Sequence, residues 1–229
     1  EFINGKKNGK WLSFHENGQL SSKRNYKDGK SHGLWERYFY DGQLIYKGNY
    51  KDGKKDGLWE YYHYISQNNG QLEKKGNYKE GKEDGLWEYY HDNGQLEKKE
   101  NYKDGERKGL WLTYHDNGQL QSKGNHKEGD RDGLWEFYHN YGQLETKVNY
   151  KDGKIVGLQL IYYYYGELKE EGVYKDGKKD GLWKVYYISG LLWEKGNFKS
   201  GKKVDIWEYY NTDGSLKKIE TWKNGLIVD

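Results

Sequence analysis

GLWEYYHDNGQLEKKENYKDGERK, residues 85–108, is one copy of a unit that fills the chain. Two aromatic-rich stretches with alternating polarity flank Asn93-Gly94, a dipeptide that favours the type I′ turn of a two-residue hairpin. A second turn signal follows at Asp104-Gly105. Each copy therefore reads as one hairpin and a tight link to the next, and the whole as an antiparallel meander of about 18 strands.

Working outward from Trp87, the same slot is filled by Trp11, Trp35, Trp59, Trp111, Trp135, Gln159, Trp183 and Trp207. Seven of the eight intervals are 24 residues and the other is 28. A unit this short cannot bury a core alone, so stability must come from stacking copies. The expected fold is all-β: an elongated single-layer antiparallel array of nine hairpin copies over residues 1–229, a single domain whose first and last copies are incomplete at the chain ends.

One third of the residues are charged, a composition that by itself points to disorder. Ten Trp, 25 Tyr and five Phe overturn that reading, because such rings bury large areas while their polar tips stay wet. No Pro interrupts strand pairing. The 39 Lys and Arg are interspersed with 36 Asp and Glu, a mixed solvated surface that argues against a nucleic-acid partner. Without Cys there is no disulfide, thiolate catalysis or Cys-ligated zinc. No apolar run approaches the length of a membrane-spanning helix.

With Asn93-Gly94 as the turn, facing residues sum to 187: His91 meets Leu96, Tyr89 meets Lys98, Trp87 meets Glu100 and Glu88 meets Lys99. The same arithmetic pairs Trp35 with Gly48, Trp111 with Gly124 and Trp183 with Gly196. An indole lying over a strand glycine covers its bare backbone. Trp35, Trp59, Trp87, Trp111, Trp135, Trp183 and Trp207 are thus expected to form a structural ladder, on the face that also holds the hairpin Leu (Leu44, Leu72, Leu96) and the Tyr before each link. The other face pairs Glu36 with Lys47, Glu88 with Lys99 and Glu136 with Lys147.

The run Tyr46-Lys47-Gly48-Asn49-Tyr50-Lys51-Asp52-Gly53-Lys54, followed by Gly57-Leu58-Trp59, resembles the MORN repeat. Aromatics after the Trp, as in Trp59-Glu60-Tyr61-Tyr62, resemble the bacterial MORN variant of YwqK-type antitoxins. The resemblance implies a scaffold or binding module, with protein, membrane-lipid or dimerisation roles. For the variant it implies neutralisation of a partner toxin, and a bacterial cell-surface, secreted or, for an antitoxin, cytoplasmic location.

Catalytic chemistry finds little support. His15, His63, His91, His115 and His139 recur four residues after the Trp slot. Equivalent strands in neighbouring copies lie about 9.6 Å apart, too far for two imidazoles to share a zinc, so these rings are expected to pack against the hairpin Leu. Asp and Glu adjoin turns or face Lys, and no nucleophile elbow, zinc-protease, phosphate-loop or dinucleotide signature occurs. No cofactor or metal is expected, and no enzyme.

Departures from the repeat carry the functional expectation. The insertion Tyr64, Ile65, Ser66 and Gln67 lengthens one hairpin tip, a common place for binding contacts. In copies seven and eight, Ile155, Val156, Leu158, Leu160, Tyr162, Val173, Tyr186, Leu191 and Trp193 interrupt the polar pattern, with Trp193 facing Tyr186 and Leu158 facing Val173. Such a patch marks a partner site. The leading expectation is a non-enzymatic protein-interaction scaffold, antitoxin-like in the sense the resemblance implies, that binds another protein there. A glycan or cell-wall module is the alternative, membrane-lipid binding comes next, and exposed end strands offer edge-to-edge self-association.

Overall fold

The computed structural model describes residues 1–64 and 70–228, and the described residues form strands joined by tight turns, with no helix among them. The chain divides into two compact units, Glu1–Gly109 with Asp116–Gly118 and Leu110–His115 with Gln119–Asp229. Within the first, the strands from Gly9–Phe14 to Leu96–Lys103 pair antiparallel in chain order. Within the second, those from Leu120–Lys127 to Leu216–Lys223 do the same. The hairpin meander expected from the 24-residue period is the fold observed.

The link is a tight turn, as expected, and the hairpin tip is not the turn expected. At the link, Asp104 (φ 52°) and Gly105 (φ 87°) are both left-handed, which is the type I′ geometry. At the hairpin tip, only Gly94 has positive φ (84°). The Gly94 N–H donates to the His91 carbonyl at 2.8 Å and the His91 N–H to the Gln95 carbonyl at 2.8 Å. This is a type I turn over Asp92-Asn93 closed by a glycine bulge, not the type I′ turn read from Asn93-Gly94. The longer tip lets the Asn93 carboxamide oxygen accept the Gln95 N–H at 2.9 Å, a side-chain turn that a left-handed Asn would forgo.

The extra tip residue moves pairings near it. Tyr90, and not His91, faces Leu96, so each hairpin Leu lies opposite the aromatic of the polar face instead of on the Trp face. Tyr186 likewise faces Leu192, which leaves Trp193 in the bulge and corrects its expected pairing with Tyr186. Farther along the ladder the expected register holds: Trp87 faces Glu100, Trp35 faces Gly48 and Trp183 faces Gly196.

A second bulge precedes each Trp and decides what the indole covers. Gly48 pairs with Trp59 across the link and Asn49 with Asp56, so Gly57 and Leu58 are extra residues. The bulge leaves the Asn49 carbonyl to the Trp59 Nε1–H, which donates to it at 3.0 Å; Trp87, Trp135 and Trp207 repeat the bond to Asn77, Asn125 and Asn197. The indole over each glycine therefore comes from the following copy, not from the hairpin partner. A Cβ on Gly48 would lie 2.2 Å from Trp59, and one on Gly76 would lie 2.1 Å from Trp87.

Burial follows that rule copy by copy. Trp59, Trp87, Trp135, Trp183 and Trp207 are 0–2 % exposed, and each follows a copy with Gly at the facing position (Gly48, Gly76, Gly124, Gly172, Gly196). Trp35 follows Arg24 and is only half-buried. Val148 fills the position in copy six, and opposite it copy seven has Gln159 in place of Trp. A fully buried indole removes roughly 150–250 Å² from water, on the order of 4–6 kcal/mol of gross stabilisation, so these contacts between copies form the core. Tyr50 meets Trp35 at 4.7 Å and Trp59 at 5.2 Å, and Phe198 meets Trp183 at 5.8 Å and Trp207 at 5.1 Å, joining the indoles into a ladder.

Candidate interaction surface

On the polar face each Glu is held mainly by Lys of the preceding copy. Lys23 reaches Glu36 at 2.9 Å, Lys75 reaches Glu88 at 3.0 Å and Lys123 reaches Glu136 at 2.6 Å. The expected hairpin partners contribute at longer range, Lys99 to Glu88 at 3.1 Å and Lys147 to Glu136 at 3.6 Å. The aromatic two residues on closes each cluster, as Tyr138 donates its hydroxyl to Glu136 at 3.0 Å. The Lys123 ammonium holds the Glu136 carboxyl below its ordinary range, and Glu136 in turn holds Lys123 above its own.

The recurrent histidine slot also works between copies. His15, His63 and His115 direct Nε2 at the carbonyls of Tyr38, Tyr90 and Tyr138, at 3.1, 3.4 and 2.9 Å. Tyr163 and Tyr187 in the same slot donate their hydroxyls to Tyr186 and Tyr210 at 2.7 and 2.8 Å. These rings join one copy to the next by hydrogen bonds, where packing against the hairpin Leu was expected.

In each unit a row on the polar face is apolar and wet. Leu34, Leu58, Leu86, Leu110, Leu134, Leu158, Leu182 and Ile206, each just before the Trp slot, are exposed. The bulge that aims the indole inward turns its neighbour outward, so this row is a consequence of the core. On the return strands the residue facing it is Asn (Asn49, Asn77, Asn149, Asn197) or, opposite Ile206, Thr221, and the row is broken into separate apolar side chains. At copy seven the Asn is replaced by Val173, which faces Leu158. Leu158, Val173 and Leu182 then form an apolar strip across three consecutive strands, 48 %, 41 % and 49 % exposed.

Beside that strip the charge clusters are rearranged. Leu160 takes the Glu position between Lys147 and Glu171. In copy eight the signs are exchanged: Lys184 donates to Glu171 at 3.0 Å and the Tyr186 hydroxyl to the same carboxylate at 2.7 Å. Burial, then that carboxylate, push the Tyr186 hydroxyl up to about 12.

The residues singled out in copies seven and eight do not form one surface. Val156, Leu158, Leu160, Tyr162, Val173 and Tyr186 belong to the polar face. Ile155 faces Tyr150 on the Trp face, at the position where Lys179 and Lys203 lie over Trp183 and Trp207, each 3.7 Å from the ring centre. No indole follows Ile155, so no cation is needed there. Leu191 and Trp193 sit at the hairpin tip, the Trp193 ring 6.1 Å from Tyr187. Of the lengthened tip, Tyr64 is exposed and packs on Phe39 at 4.6 Å, while Ile65, Ser66 and Gln67 lie outside the described residues.

Two features escaped sequence reading. The leucine row was visible as the Leu of Gly-Leu-Trp, but alternation alone does not separate an exposed leucine from a buried one. The other is a cluster of exposed tyrosines at two tips, Tyr141, Tyr164 and Tyr165, signalled only by Tyr where every other tip but that of Ser189 carries Asp or Asn. A concavity of about 920 Å³ also opens beside the later link turns, but Lys175, Asp176, Lys178, Asp180 and Lys199 alternate sign around it and favour no one class of ion.

A family model described as MORN repeat variant matches residues 7–28, 31–52, 83–104, 107–128, 131–152 and 206–224. No curated protein sequence matches the chain. Among solved structures, one described as "Crystal Structure of TcdB2-TccC3-Cdc42" is similar at 14% identity and a TM-score of 0.22 over 94% of this chain. A second, "Crystal Structure of TcdB2-TccC3 without hypervariable C-terminal region", is similar at 14% identity and a TM-score of 0.21 over 94% of this chain. This chain spans about 15% of the length of either.

Proposed function

Since the chain belongs to the MORN repeat variant family, whose repeats generally serve as binding or scaffold modules, we propose that it is a non-enzymatic scaffold that binds a protein partner on the polar face of copies seven and eight. The observation that carries this reading is the strip Leu158, Val173 and Leu182. Its centre is a valine where the other copies keep a polar residue, asparagine in all but the last, which has Thr221, and Leu160 removes the neighbouring charge. Exposed apolar side chains rimmed by Lys147, Glu171 and Lys184 have the anatomy of an interface centre with a polar rim. Toxin neutralisation by occlusion is one use such a surface would serve.

The test restores the repeat's own residues. Val173→Asn and Leu160→Glu, alone and together, should abolish co-purification of the identified native partner without changing the circular dichroism spectrum. Capture at wild-type level by the double variant would remove this face from consideration.

A further inference from the structure

The hairpin tips of copies six and seven break the repeat at the cost of turn bonds. In copies one, two, four and nine the residue before the tip glycine is Asn17, Asp41, Asn93 or Asp213, whose side-chain oxygen accepts the backbone N–H two residues on, at 2.9–3.0 Å, and in copy eight it is the small polar Ser189. Asn17 and Asn93 also donate to the next copy's turn, to the Tyr40 and Asp116 carbonyls at 2.8 and 2.7 Å. At that position copies six and seven carry Tyr141 and Tyr165, 67 % and 75 % exposed. The turn itself survives, with Gly142 and Gly166 still donating to His139 and Tyr163. The same site lacks a second bond: His139 leaves its buried Nε2 without a hydrogen bond, where His15, His63 and His115 reach the next copy.

What replaces those bonds is a fixed aromatic array. Tyr164 stands edge-on to Tyr141 (centres 5.5 Å apart, planes at 82°) and to Tyr165 (5.4 Å, 89°), and His139 packs on it at 5.4 Å. Tyr164 is thus a buttress that sets the two outer rings, whose faces stay in water. Giving up local structural bonds to display rings is the pattern of a functional site. Tyr141 and Tyr165 occupy equivalent positions in adjacent copies, about 9.6 Å apart at two strand spacings.

We propose that this tyrosine array is a binding site for an extended β-linked polysaccharide. In such a chain alternate sugar rings present the same apolar face at a repeat close to the spacing of adjacent copies. Each outer ring stacks on one sugar face, and the phenolic hydroxyls supply uncharged hydrogen-bonding groups beside it. A charged ligand has less to meet, because the three rings are neutral. The site lies at the hairpin tips, away from the apolar strip, and does not depend on the protein-binding reading.

Isothermal titration of the full chain with cellohexaose and with chitohexaose tests the proposal. Binding of at least one hexamer is expected, weakened roughly tenfold by Tyr141→Asn or Tyr165→Asn and lost in the double variant. Tyr40→Ala, at an exposed tip without a neighbouring tyrosine pair, should bind as wild type does. The Asn variants also restore the turn bond, so their thermal midpoint should rise while binding falls, which a merely structural role for the tyrosines does not produce. No heat with either hexamer, equal binding by the double variant, or binding of tetramethylammonium in place of sugar would overturn the assignment.

Discussion

At Gly76 a single hydrogen separates a strand backbone from the ring of Trp87. Gly76→Ala would put Cβ 2.1 Å from the indole Cδ2, against a side chain that is 0 % exposed and has no space to retreat. The expected loss is about 2–4 kcal/mol, read as a lower urea midpoint; a loss under half a kcal/mol would mean that the ring moves freely. Val148 opposite Gln159 shows the escape from this clash. Gly124→Val should therefore be strongly destabilising alone and partly rescued by Trp135→Gln, and strict additivity of the two changes would sink the coupling. Pairing of Trp with Gly was legible in the sequence, because register follows from counting. Which Trp covers which Gly was not, since Gly48 faces Trp35 on one side and Trp59 on the other. The bulge at Gly57-Leu58 breaks that symmetry, and a bulge is invisible to a strict alternation of two.

The elements differ in what their turns demand. Asp104 at φ 52° is strained for any branched side chain, whereas Asn93 at the tip is not left-handed. Asp104→Val should cost about 1–2 kcal/mol through backbone strain, while Asn93→Val should cost about 1 kcal/mol through its lost hydrogen bonds. Replacement by Gly separates the two mechanisms: urea titration should show full recovery for Asp104→Gly and none for Asn93→Gly. Strands are coupled by the Lys–Glu–Tyr clusters, and these make stability depend on pH. Glu136 and Glu208 have folded values below the ordinary 4.5, so their contribution is complete above 4.5 and is lost as pH falls through the folded values. Lys123 and Lys195 have folded values above the ordinary 10.5, so theirs is complete below 10.5 and is lost as pH rises through the folded values. The urea midpoint should form a plateau between these limits. Glu136→Gln should flatten the acid limb, and an unchanged limb would assign acid sensitivity elsewhere.

Across the whole molecule, copies support one another only through neighbours, so a weak junction stays local. One such junction is that between copies six and seven, where Val148 faces Gln159 and no indole is buried. It lies beside the exposed strip Leu158, Val173 and Leu182 and under the tips of Tyr141 and Tyr165. Core, face and edge thus depart from the repeat within the same few strands, as expected where local rules yield to binding. That copies seven and eight depart from the repeat was legible from their apolar residues. How the departures divide between the two faces was not, because it needs the register of Ile155 against Tyr150 and of Leu158 against Val173. If the missing indole is what loosens this junction, amides of Leu144–Lys151 and Lys154–Tyr162 should exchange with deuterium faster than those of Leu72–Lys79 and Lys82–Tyr90, where Gly76 and Trp87 close the contact. Gln159→Trp alone should not slow them, since the Val148 side chain occupies the place of the ring. Val148→Gly with Gln159→Trp should slow them to the level of the other copies, and equal exchange in wild type and double variant would show that the indole does not set the strength of the junction.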